Sequence, residues 1–309
     1  MSDTDSRTDQ VDFFCADVSR EAGEPMIGTA PAVEAWFLLE YAGPWMAKAT
    51  EDNDLPPSTQ AWLANALALV AKGRVQFIKH SRASSSTGIT FFLALTREVA
   101  PLLYEFHLDT YADLHSLDLV SLLAGDAGRQ HLRSEPLYLV CTNGRRDRCC
   151  SRLGQHLYLA LDERVGDAAW KTTHLGGHRF APTLVTFPDG TCYGRLEDTD
   201  LPPLVQAQAA GHLYLSRLRG RSCYDDLVQA ADYFLRQKTG FWAGDGYRLL
   251  DARPGDGAQW LVRFIAPSTG QIYRLRMVKT LSEPSRLVSC SPPKSKLVPQ
   301  FHLISVEQQ

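Results

Sequence analysis

The chain has 309 residues, 44% of them hydrophobic and 22% charged, which is the composition of a soluble globular protein long enough for two packed domains. A net charge of -3 excludes bulk attraction to nucleic acid or an anionic membrane, so small-molecule or protein partners are expected. Seven cysteines are an odd number and too sparse for a disulfide scaffold, which points to a reducing, cytoplasmic compartment.

Residues 1–10 are acidic and polar, without the apolar run of a secretory signal, and read as a frayed terminus. No apolar window approaches the length of a bilayer span. Residues 35–41 (A-W-F-L-L-E-Y) have the density of a buried strand, ended by Gly43-Pro44. Pro56-Pro57 opens a helix to about Lys72, with Trp62, Ala66, Leu69 and Val70 on its inner face and Gly73 as its stop. Three strands follow at 75–79, 90–95 and 102–107, the first two separated by a Ser-rich loop at 81–88. Residues 114–123 are apolar at helical spacing and end at Gly125.

A second unit of similar size begins with a short apolar run at 137–140 and a helix over 151–165. Residues 170–173 read as a strand, and 184–187 with 191–194 as a hairpin around Asp189-Gly190. A helix is expected from about Pro203 to Arg217, stopped by Gly220. The two units have a similar order of elements and are expected to be a diverged duplication sharing one sheet. Ser222 and Asp225 then form an S-x-x-D capping pattern for a helix that ends at Gly240, and an antiparallel sheet occupies 247–309.

The sharpest chemistry lies between the second strand-like run and the hairpin. C-T-N-G-R-R-D-R-C-C at 141–150 supplies Cys141 and Cys150, and H-L-G-G-H at 174–178 supplies His174 and His178. Thiolate and imidazole are the donors that hold zinc or iron. Cys150, placed just before a helix, is favoured as thiolate by the free N–H groups there. Asp147 reads as a loop brace accepting local N–H groups. Gly176 and Gly177 permit close backbone approach, and a helical turn would put both histidines on one side. Single cysteines and histidines are ordinarily packing or satisfied polar residues, so spacing alone leaves a metal site, a thiol redox pair and plain structure all open. The C-x8-C gap is longer than a zinc-finger knuckle. Cys15, Cys192, Cys223 and Cys290 are scattered and read as packing residues. Arg179 reads as half of a surface salt bridge, and Arg217, Arg219 and Arg221 as dipole partners at a helix C-terminus.

The C-T-N-G-R-R-D-R-C-C segment, H-L-G-G-H-R-F-A-P-T and F-P-D-G-T-C-Y-G-R-L together resemble the sucrase/ferredoxin-like family of thioredoxin-like ferredoxins. G-T-A-P at 28–31 and L-L-E-Y-A-G-P-W at 38–45 extend the resemblance over most of the chain. There is no paired-carboxylate motif for sugar hydrolysis.

The resemblance implies an α/β fold with a thioredoxin-like ferredoxin core, plus a C-terminal α+β region. The expected division is a disordered 1–20, an N-terminal thioredoxin-like half at 21–135, a cluster-binding half at 136–218 and the added region at 219–309. It also implies a [2Fe-2S] cluster with Cys141 and Cys150 on one iron and His174 and His178 on the other, with Cys149 as the alternative to Cys150. The expected function is one-electron transfer or redox sensing with a redox partner protein, rather than catalysis on a substrate of its own. Two alternatives stand beside it: a structural Cys2His2 zinc protein acting as a binding module, and a thiol-disulfide oxidoreductase, against which the lack of C-x-x-C counts.

Overall fold

The computed structural model describes residues 13–81, 88–290 and 292–309. In chain order its elements are α1 (Cys15–Glu21), β1 (Ala35–Glu40), α2 (Pro57–Ala68), β2 (Gly73–Lys79), β3 (Ile89–Leu95), β4 (Leu102–Leu108) and α3 (Leu119–Ala124). Next come β5 (Leu137–Cys141), α4 (Arg148–Val165), β6 (Ala169–Thr172), β7 (Thr183–Phe187), β8 (Thr191–Gly194), α5 (Leu201–Ala209), β9 (Leu218–Arg221) and α6 (Asp226–Thr239). The last are β10 (Arg248–Pro254), β11 (Gln259–Ala266), β12 (Gln271–Leu281), β13 (Arg286–Cys290), β14 (Pro293–Lys296) and β15 (Pro299–Gln308).

One nine-stranded mixed sheet carries the first two thirds of the chain, in the order β4-β3-β1-β2-β6-β5-β7-β8-β9. On one side of its centre, β1 runs parallel to β2 and antiparallel to β3, which pairs antiparallel with β4. On the other side, β5 runs parallel to β6 and antiparallel to β7, which pairs antiparallel with β8. The same order of strand, helix, parallel strand and hairpin is thus laid down twice. The two sets meet at the antiparallel β2–β6 pair, where Ile78 faces Thr172.

The alternation along β1 shows why this strand reads as a continuous apolar run. Phe37 and Leu39 pack on one face with Trp62, Phe77 and Phe91. Trp36 and Leu38 pack on the other with Phe92, Leu139, Cys141 and Phe187. A strand buried on both faces has no polar side to show. α4 and α5 close the second half, with Leu157, Leu161 and Leu204 on Val140, Leu184 and Tyr193. Among the described residues no helix is long and apolar enough to cross a membrane.

Several expectations are corrected. Part of the segment expected to be disordered is helix α1, with Cys15 and Ala16 buried. It is tied down because Arg195 donates to the Ser19 carbonyl at 2.8 Å. The apolar stretch 114–123 is divided between a 3-10 turn at Tyr111–Ser116 and α3, because Thr110 and Asp118 each cap a separate start. α2 ends at Ala68, Leu69 just beyond it is exposed, and Gly73 opens β2 instead of stopping the helix. α5 ends at Ala209, well before Arg217, and Gly220 lies inside β9. Asp225 stands at the start of α6 but makes no cap bond there; its carboxylate pairs with Lys72 at 2.8 Å. Most of the Ser-rich loop at 81–88, and the terminus 1–10, lie outside the described residues.

α6 lies on a separate antiparallel sheet, β10-β11-β12-β15, burying Leu227, Ala231 and Leu235 against Val262, Phe264 and Leu275. Between β12 and β15 the chain detours through the hairpin β13–β14, which packs against α1 and the turn at 178–180. That detour brings the C-terminal part into contact with the site described next.

Candidate metal centre

β5 delivers Cys141 at its end, and α4 starts at Arg148 with Asp147 as its N-cap. Cys149 and Cys150 therefore stand within the first turn of α4, not before it. Consecutive helix positions are rotated by about 100°, so the two thiols diverge. Cys150 joins Cys141 and His174, the donor atoms of all three lying within 4.8 Å of one another. Cys149 faces the opposite way, toward Cys15 at 3.5 Å and Cys290 at 3.4 Å between sulfurs.

Cys141 and Cys150 are buried in the core shared by the two halves of the sheet. The Cys150 S–H, aided by His174 and the Leu175 N–H, holds the Cys141 thiol well below its ordinary range in spite of burial. Cys150 Sγ is 3.8 Å from His174 Nδ1. The closeness of strand and helix depends on Gly154, since a Cβ there would stand 2.0 Å from the Cys141 carbonyl oxygen.

The histidines are brought together by a loop and not by a helical turn. Gly176 and Gly177 have φ of +92° and +70°, left-handed values that L side chains rarely adopt, before a single 3-10 turn at His178–Phe180. The two imidazole centroids end 4.9 Å apart. Arg219 holds this loop from below. It is buried on β9, donating to the Gly176 carbonyl at 3.0 Å and to Thr29 Oγ1 at 3.1 Å. A Cβ on Gly177 would come within 2.5 Å of its guanidinium. Arg219 and Arg221 are thus buried strand residues, and the reading as helix-end dipole partners is corrected.

His178 has its two ring nitrogens in different circumstances. Nε2 donates to the Val288 carbonyl and stands 3.4 Å from Asp147 Oδ2. Nδ1 is buried with no hydrogen-bond partner. An imidazole that gives one N–H to a carbonyl or carboxylate and leaves the other nitrogen bare is arranged as a metal-ligating histidine is. Burial also lowers the pKa of His178, against the pull of Asp147, and so favours the neutral ring that a ligand requires.

Asp147 does more than brace its own loop. Oδ1 accepts from the Cys149 N–H at 3.0 Å and Oδ2 from the Cys290 N–H at 3.0 Å. Burial raises its pKa, but the N–H of Cys290, His178 and Cys149 together hold the carboxyl below the usual range. Arg179 is likewise not at the surface: its Nε donates at 2.8 Å to Glu24, both side chains being largely buried.

His174 faces outward enough to line a cleft of about 600 Å³ together with Lys48, Arg74, Asn143 and Arg146. Arg74 donates to the His174 carbonyl at 2.6 Å. Residues that the sequence reading left out of the site are Arg219, Val288, Cys15 and Cys290. The first was visible only as one of the three alternate arginines at 217–221. The other three reach the site only through the fold.

A mixed α/β sheet protein with a buried cluster of soft donors, capable of holding a metal, is the class that this arrangement defines. The profile of the sucrase/ferredoxin-like family matches residues 26–220, well over half of the chain, and the chain belongs to that family. No curated protein and no solved structure matches it.

Proposed function

We propose that this chain is an iron-sulfur protein that carries a [2Fe-2S] cluster for one-electron transfer or redox sensing with a partner protein. Cys141 and Cys150 would hold one iron and His174 and His178 the other. The observation that carries this reading is the bare, buried Nδ1 of His178 beside a tight group of Cys141, Cys150 and His174. The orientation of Cys149 away from that group favours Cys150 as the second thiolate. The repeated strand order, with the parallel pair followed by an antiparallel hairpin in each half, supports a duplicated thioredoxin-like core.

Such a cluster supplies a one-electron couple whose potential is raised by having two neutral imidazoles in place of two thiolates. The chain's own residues set its surroundings. Arg219 fixes the histidine loop through Gly176, and Asp147 with Val288 fixes the His178 ring. His174 is the donor nearest the open cleft, where Arg74 and Arg146 would present positive charge to an acidic partner surface and Lys48 is paired with Glu51 at 2.8 Å.

The test is metal analysis of protein purified without oxygen. Reddish-brown protein with iron and acid-labile sulfide in equal amounts is expected. Colourless protein with zinc on the two cysteines and two histidines, or metal-free protein, refutes the reading. Loss of colour in Cys149→Ala but not in Cys150→Ala would overturn the ligand assignment.

A further inference from the structure

Asp147 and three thiols form a second group of donors, on the far side of the first turn of α4. Cys15 comes from α1, Cys149 from α4 and Cys290 from the end of β13, and all are buried. Their sulfurs and a carboxylate oxygen of Asp147 lie within 4.8 Å of one another. Cys15 and Cys290 are outside residues 26–220, so the group is made by chain segments that flank the family match.

Buried cysteines commonly pack as small hydrophobes, and the neighbours Phe14, Leu153 and Leu287 suit that role. Three features do not. The sulfurs are 3.5 Å apart for Cys15 and Cys149 and 3.4 Å apart for Cys149 and Cys290. Tetrahedral zinc with Zn–S bonds of about 2.3 Å requires edges of about 3.8 Å, so the thiols are already within a few tenths of an ångström of that spacing. A carboxyl group is buried against them, with Oδ1 3.9 Å from Cys15 Sγ, where a purely apolar pocket would hold no oxygen donor. Finally, a backbone N–H points at a sulfur, from Cys15 to Cys290 Sγ at 2.9 Å, as around structural metal-thiolate sites.

We infer that Cys15, Cys149 and Cys290, with Asp147 as the oxygen donor, form a second and structural site for one thiophilic divalent cation, zinc by its preference for this donor set. Binding displaces the three thiol protons to solvent and leaves a dinegative centre, the charge of an ordinary four-cysteine zinc site. The ion would cross-link α1, α4 and the C-terminal hairpin. Because Asp147 also contacts His178, it would fix one wall of the first site without entering it. The inference is independent of the iron-sulfur reading.

The probe is zinc itself, added to the growth medium of cells expressing the full chain, which is then purified under reducing, oxygen-free conditions. About one zinc per chain is expected, resistant to chelator, with an X-ray absorption first shell of three sulfurs and one oxygen. Cys15→Ser with Cys290→Ser should bring zinc from about one per chain to none and leave any iron in place. Cys141→Ser should do the reverse. Zinc-free wild-type protein, a shell of two sulfurs and two nitrogens, or a disulfide among the three cysteines would each overturn the inference. The absorption measurement needs no variant, so it decides even if the double variant does not fold. Iron content, read on the same samples, judges the first site separately.

Discussion

Gly154→Ala sets helix propensity against packing with opposite signs. On propensity alone, replacing a glycine inside an 18-residue helix by alanine stabilises by about 1 kcal/mol. Here the new Cβ would stand 2.0 Å from the carbonyl oxygen of Cys141 and 3.1 Å from its carbon. Both clashing atoms are backbone, and Cys141 is fixed in register with Thr172 of β6, so no side chain can rotate away. α4 must retreat by about 1 Å or more to restore van der Waals contact. Overpacking of this kind costs about 1–3 kcal/mol and more where nothing can yield, and the retreat also loosens the burial of Leu157, Tyr158 and Leu161. We therefore expect a net destabilisation of about 2 kcal/mol in denaturant unfolding. Because Cys141 and Cys150 ride on the two elements being pushed apart, metal content should fall as well. A Gly154→Ala protein as stable as wild type, with undiminished metal, would refute the reasoning.

Asp147→Asn should cost about 2–4 kcal/mol at neutral pH, since it places a donor against the N–H groups of Cys290 and Cys149 and the His178 ring. The folded pKa of Asp147 is depressed, so its stabilisation is complete above the unfolded value of about 3.9 and is lost as pH falls through the folded one. The gap between wild type and variant in urea melts should accordingly narrow at acid pH and be widest above pH 5. Arg219→Met, which keeps the length of the side chain but none of the donors, should destabilise by about 2–4 kcal/mol and release the histidine loop, seen as faster amide exchange at residues 175–178.

The elements that the sequence made legible are those whose side chains face a single environment. β1, β5, β7, β8 and α6 were readable because their apolar runs or stripes are continuous and their ends are marked by Gly or a turn. Helix ends decided by tertiary contacts were not. Asp225 is drawn off by Lys72, and residues up to Arg217 are claimed by β9 and its approach, where Arg217 pairs with Asp200 at 2.8 Å. Cys141, Cys150, His174 and His178 were singled out as candidates by likeness to a family, spacing alone having left a metal site, a thiol pair and plain structure open. Cys149 against Cys150 could not be decided from adjacency, since only the rotation of α4 separates their directions. Cys290 carried no local signal at all, because its partner Cys15 is 275 residues away.

The hairpin that supplies Val288 and Cys290 also imposes an order of assembly. His178 precedes its carbonyl partner Val288 by 110 residues. At ribosomal rates of about 5–20 residues per second, some 5–20 s pass between the synthesis of the two. During that interval the second half of the large sheet can form while the wall made by β13 has not yet been synthesised. Once β13 is in place Val288 covers the His178 side, and the cleft beside His174 is the approach to the donors that stays open.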